Sequence, residues 1–246
     1  GTGARTLRNT YAFDNVFTSF STQKEVFYST LAPVISDVLG GYESTVFAYG
    51  QTGTGKTHTM EGDINSSENR GVIPRAAFDV FRRLADDSYI ESKVTASFLE
   101  IYNEELGDLL CDVDFNDLTA LQQKQKQLRL VEDPGTATKK GRGIYVMNLT
   151  EEPVECPEDV LKLMARASER RAVGETKMNK HSSRSHCVFT LRVESKRVLP
   201  DGNMMETVGK LHMVDLAGIE CAKSAGGADV DHARERERKN INQSLL

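Results

Sequence analysis

The sequence predicts an α/β fold, three layers with helices flanking a mixed sheet, and three observations carry that prediction. A glycine-rich run, Gly50-Gln51-Thr52-Gly53-Thr54-Gly55-Lys56-Thr57, follows a short apolar stretch at 44–49. Alternating apolar residues at Cys187, Phe189, Leu191 and Val193, and again over 208–214, flank the turn residues Pro200-Asp201-Gly202-Asn203. Helical spacing governs the segment before Gly40-Gly41 and another that opens at Pro157. Strands and helices interleaved around one glycine-rich loop are the pattern of an α/β domain. With 246 residues, 39% of them hydrophobic, the chain can bury one core of that kind, and no internal repeat or boundary divides it.

Taken in order, residues 10–17 alternate enough to predict a strand and turn. Thr22-Gln23-Lys24-Glu25 is a capping box that starts a helix. Val26, Phe27, Leu31, Val34, Ile35, Val38 and Leu39 fall on one face of it, and Pro33 should kink it. Residues 44–49 read as a short buried strand feeding the glycine-rich loop. A polar connection at 62–70 leads to a helix with Pro74 at its first helical position, running through Ala76, Phe78, Val80, Phe81 and Leu84. Residues 93–102 are β-rich, and the Gln/Lys-biased stretch 116–127 reads as a surface excursion. Short strands at 128–131 and 144–146 should frame a basic loop carrying Lys139, Lys140 and Arg142. Pro157 opens a helix with Val160, Leu161, Leu163 and Met164 on its apolar side and Arg166, Arg170 and Arg171 on its polar side. The strands at 187–193 and 208–214 complete a long hairpin.

The formal charge of −5 argues against nucleic-acid binding by bulk charge, so an acidic partner would need a local basic patch. No membrane span is read. Cys111, Cys156, Cys187 and Cys221 are far apart with no C-x-x-C, which predicts reduced thiols in a cytosolic setting. The first residues lack an initiator Met and a signal core, and the last residues end inside an amphipathic segment. Both ends are therefore expected to be cuts through a longer chain.

Every fixed position of G-x-x-x-x-G-K-[ST] is filled at 50–57, so the loop should hold a nucleoside triphosphate. Glycines let backbone N–H groups curl around phosphate oxygens, Lys56 reaches the outer phosphates and the Thr57 hydroxyl ligates Mg²⁺. The second anchor expected is a carboxylate at the end of an apolar strand, and Leu211-His212-Met213-Val214-Asp215 supplies Asp215. With Gly218 it forms D-x-x-G, in which a glycine amide can sense the terminal phosphate and move when it leaves. A third element, Asn179-Lys180-His181-Ser182-Ser183-Arg184-Ser185-His186, precedes the strand at Cys187. His181 and His186 lack a third ligand at metal-site spacing, so a transition-metal site is not expected.

Four motifs in this order, residues 49–60, N-x-x-S-S-R-S-H at 179–186, Asp215-Leu216-Ala217-Gly218 with Glu220, and Asn240-Ile241-Asn242-Gln243-Ser244-Leu245, resemble the kinesin motor domain over nearly the whole chain. The resemblance implies a phosphate-loop NTPase fold of kinesin type that lacks its first and last strands, with residues 1–246 a partial motor domain. It implies an ATPase that binds Mg-ATP and microtubules. Gly50, Gln51, Thr52, Gly53, Thr54, Gly55, Lys56 and Thr57 would cradle the phosphates, and His58 would lie on the adenine side. Asn179, Ser182, Ser183 and Arg184 would close over the γ-phosphate, with Thr57, Ser183 and Asp215 around Mg²⁺. Gly218 would contact the γ-phosphate, Arg184 and Glu220 would latch the two switches, and Ser183 and Glu220 would organise the lytic water. No guanine-reading N-K-x-D run occurs, in keeping with ATP.

By the same resemblance the microtubule face would include Lys139, Lys140, Arg142, Arg234, Arg236, Arg238, Lys239 and Asn242. Asn103-Glu104-Glu105, Gly71-Val72-Ile73-Pro74-Arg75 and the run from Asn240 are most similar to the mitotic bipolar (kinesin-5) group, although the connection at 62–70 is short for it. That group implies a spindle role in the cytoplasm and oligomers built through coiled coils outside this chain, with no nucleic-acid or membrane partner. Two departures matter. Ile219 stands where the family usually has Ser beside Glu220, and the segment 221–238 is longer than usual and differs from the small-residue pattern. The alternative they raise is a microtubule-binding protein without a productive ATPase cycle. A soluble metabolic kinase is a third option, against which the 179–186 run argues.

Overall fold

The hairpin expected from the alternation near the end of the chain is the middle of the fold in the computed structural model, which describes residues 10–112, 119, 122, 126–136, 139–177 and 184–218. Its strands, β7 (His186–Val198) and β8 (Met204–Asp215), pair antiparallel along their whole length, from Val198 with Met204 to Cys187 with Asp215. On the far side of β8 lies β1 (Glu43–Ala48), parallel, with Ala48 level with Asp215. On the far side of β7 lies β2 (Tyr89–Tyr102), antiparallel, and β3 (Glu105–Asp108) and β6 (Glu152–Val154) both pair with β2. The sheet is therefore mixed, six strands among the described residues, and the one parallel step among them brings residue 48 beside residue 215. A separate antiparallel ribbon, β4 (Arg129–Thr136) with β5 (Lys139–Met147), stands apart from it.

Period-two alternation sorts each strand into two faces. Phe98, Phe189, Leu191, Leu211 and Met213 point to one face and are buried there under α1 (Gln23–Thr30), α2 (Ala32–Leu39), α4 (Val72–Leu84) and α5 (Pro157–Lys177). Phe98 and Phe189 meet edge to face with ring centroids 5.3 Å apart. The short helix α3 (Lys56–Met60) follows the glycine-rich loop and buries Met60 in the same core. The other face of the sheet looks toward the ribbon across a cavity of about 700 Å³ lined by Glu43, Thr190, His212, Ile144 and Tyr145, away from the glycine-rich loop.

The capping box forms as expected. Thr22 Oγ1 accepts from the Glu25 N–H at 3.2 Å, and Glu25 Oε2 accepts from the Thr22 N–H at 2.7 Å. Thr22→Ala should lower the unfolding free energy by about 1 kcal/mol, read from urea denaturation, because it leaves a first-turn N–H without its acceptor. Pro33 does more than kink the helix. The chain breaks at Leu31, and Pro33 enters the first turn of α2, where its missing N–H costs no helical bond.

Four local expectations are corrected. Residues 10–17 form no strand, and Tyr11, Phe13 and Val16 are exposed: alternation describes a face, but no described strand edge pairs with this one. β1 is only half buried, with Phe47 60% exposed, because it is the last strand on its side of the described sheet. Lys139, Lys140 and Arg142 lie within β5 rather than in a loop between strands. Pro74 sits third in α4, which begins at Val72 after the N-cap Gly71.

Candidate nucleotide site

The glycine-rich loop leaves the end of β1 and turns into α3. Gly53 (φ 80°) and Gly55 (φ 95°), the latter the N-cap of α3, take left-handed conformations that side chains disfavour. Lys56 folds back so that its ammonium donates to the carbonyls of Gly50 and Gln51, both at 3.0 Å. Thr57, next along, turns the other way. Its hydroxyl donates to Asp215 Oδ2 at 2.5 Å, joining the helix after β1 to the end of β8. Gly218 completes the wall, and a Cβ on it would fall 2.0 Å from Thr52 Oγ1, so only glycine allows this approach of the two segments. His58 is exposed, and its carbonyl accepts from the buried Gln23 Nε2 at 2.6 Å.

Asp215 is 5% exposed, and its Oδ1 is buried with no hydrogen-bond partner among the described residues. Burial pushes its pKa up, against the Thr57 hydroxyl and the positive charges of Arg171 and Lys56, which pull it down. A buried carboxylate oxygen left open beside a Thr hydroxyl, at the mouth of a phosphate loop, fits the oxygen-ligand preference of Mg²⁺. His186 supports the same corner. Burial depresses its pKa, and the neutral ring accepts the Ala217 N–H at Nδ1, 3.1 Å away. Cys187 is deeply buried, which pushes its thiol up to about 12 and leaves it an inert core residue.

The structure thus brings residues 50–58, Asp215 and Gly218 to one place, as the motifs predict. Arg184 lies in the segment entering β7, half-buried. Asn179, Ser182, Ser183, Glu220, Arg234, Arg236, Arg238, Lys239 and Asn242 lie outside the described residues, as do the side chains of Lys139, Lys140 and Arg142. Sequence reasoning did not single out Gln23 or Glu61 as part of this corner, named His186 only within the 179–186 run, and placed Arg171 on the polar side of its helix. Instead Arg171 is 10% exposed and pairs with Glu61 at 3.1 Å. Among the described residues no cluster of three or more His, Cys, Asp or Glu side chains could hold a metal.

The family model described as the kinesin motor domain matches residues 2–246. This chain belongs to the kinesin motor domain family. It is 40% identical over 247 residues to the kinesin-like protein KIN-5A of Arabidopsis thaliana, covering 98% of this chain and 22% of that protein. To the kinesin-like protein KIF11 of Mus musculus it is 38% identical, covering 98% of this chain and again 22% of the relative. The chain therefore spans about a fifth of the length of these relatives. The solved structure of a fast kinesin superposes with a TM-score of 0.76 at 35% identity, covering 96% of this chain and 60% of that one.

Proposed function

We propose that this chain is the nucleotide-hydrolysing part of a microtubule motor of the kinesin-5 kind, one that couples Mg-ATP hydrolysis to force on microtubules and works in the spindle. The observation that carries this reading is the Thr57–Asp215 contact with the open Asp215 Oδ1 beside it, at the head of a complete phosphate loop. Membership of the kinesin motor domain family and likeness to the KIN-5 and KIF11 proteins support it. Residues 1–246 would act as one motor-domain unit.

In this reading the loop amides and Lys56 bind the phosphates, with the Lys56 ammonium exchanging the Gly50 and Gln51 carbonyls for phosphate oxygens. Thr57 and Asp215 would hold a divalent cation. When bound, that ion would supply charge neutralisation to the phosphate oxygens. Gly218, resting on Thr52, follows the terminal phosphate, so its departure frees the segment that starts at Leu216. Asn179, Ser182 and Ser183 would close over the γ-phosphate, and Arg184 with Glu220 would latch the closed form and align the attacking water. Lys139, Lys140 and Arg142, with Arg234, Arg236, Arg238, Lys239 and Asn242, would meet the acidic tubulin surface.

The test is ATP turnover by the full-length gene product with and without polymerised tubulin. A steep rise with microtubules is the expected result. Turnover indifferent to microtubules, or nucleotide binding with no turnover at all, would overturn the motor reading.

A further inference from the structure

Behind the phosphate loop sits a buried charge cluster centred on Arg171, a residue that none of the roles above uses. Glu61 directly follows α3, and its side chain is 17% exposed. Arg171 reaches it from α5, Nη1 to Oε1 at 3.1 Å. The same guanidinium faces Glu100 on β2, with Nε 3.9 Å from Oε1, and that Nε is buried without a hydrogen-bond partner among the described residues. Asp215 adds its charge from the end of β8, close enough to act on both Glu61 and Arg171. One arginine therefore stands where the loop helix, β2 and the end of β8 converge. It also lies within about two helical turns of the end of α5, the element that leads in sequence to Asn179.

We propose that Arg171 is a positioning residue: gripping Glu61 and facing Glu100, it fixes α5 against the phosphate-loop helix and so governs where Lys56 and Thr57 on that helix meet the phosphates. This rests on the ATPase reading above. The residue touches no nucleotide in this scheme. A planar fork set between two carboxylates can hold a direction, which a point charge cannot. The open Nε leaves the fork one contact short. A shift of about 1 Å toward Glu100 would bring it to ordinary hydrogen-bond length. Simple ion pairing for stability would not explain the arrangement, since a buried pair is a poor source of stability and an apolar pair would serve as well.

The experiment compares Arg171→Gln, Arg171→Lys, Glu61→Gln and the Arg171→Gln/Glu61→Gln double variant in the full-length protein. It reads kcat and KM for ATP with microtubules, release of a fluorescent ADP analogue without them, and the melting temperature. Arg171→Gln should cut kcat about ten-fold or more and quicken ADP release by a similar factor, while KM moves far less. Arg171→Lys should restore the melting temperature but leave turnover low, because charge returns without the fork. Glu61→Gln should move kcat and release the same way, and the double variant should be no worse than Arg171→Gln, the mark of residues acting as a unit. A fall in melting temperature with kcat and release unchanged, full rescue of turnover by lysine, or additive losses in the double variant would each overturn the proposal. If the unaltered protein binds ATP but does not turn it over, the ATPase reading fails instead, and the ADP-release arm still decides the role of Arg171.

Discussion

Lys56→Ala should weaken binding of a fluorescent ATP analogue about a hundred-fold while leaving the melting temperature of the nucleotide-free protein almost unchanged. The two halves of that result have separate causes. A charge-assisted hydrogen bond to a phosphate contributes about 1.5–3 kcal/mol, and about 1.4 kcal/mol is ten-fold in affinity. In the free protein the ammonium serves only the carbonyls of Gly50 and Gln51, in a loop open to water. Water can take over those acceptors, so folding loses little. Unchanged affinity in a nucleotide titration would refute the assignment. A collapse in melting temperature would show that Lys56 is a brace for the loop.

Asp215→Asn should do the reverse, raising the stability of the nucleotide-free, metal-free protein and cutting ATP turnover on the order of a hundred-fold. The stability half follows from linkage. Asp215 has a higher pKa folded than unfolded, chiefly through burial, so the folded chain holds that proton more tightly. Its contribution favours folding at pH below the ordinary carboxylate value and is withdrawn as pH rises through the raised one. At neutral pH the ionised side chain therefore opposes folding. Asparagine keeps an acceptor for the Thr57 hydroxyl and removes the buried charge. Thermal unfolding of the two proteins from acid to neutral pH would show a gap that opens as the pH rises. A variant that is less stable at neutral pH would mean that Arg171 and Lys56 outweigh burial. Turnover at the unaltered rate would remove Asp215 from the site.

The motifs made much of this corner legible, because residues 50–57 and 215–218 carry chemistry that few other spacings permit. The hairpin was legible too, since both of its strands have one buried face and a turn of unambiguous composition between them. What stayed hidden depends on partners distant in sequence. Arg171 looked like an exposed helix residue because periodicity reports a face, and only Glu61 and Glu100 arriving from other elements make that face an interior one. Gln23 sits inside a capping box and gives no sign that its amide will reach the His58 carbonyl. Residues 10–17 failed for the converse reason, a strand-like pattern with no described neighbour to complete it.

The parallel pairing of β1 with β8 also bears on how the molecule comes to be built. Thr57 and Asp215 are 158 residues apart in the chain, so the contact joining them closes one of the longest loops in the fold. A chain emerging from the ribosome has made its phosphate loop long before the strand that finishes the site exists. Contacts of this span form late and slowly. On the proposed function, the capacity to hold a triphosphate with its cation would therefore be gained near the end of folding, and nucleotide occupancy would report that the sheet has been assembled in its correct order.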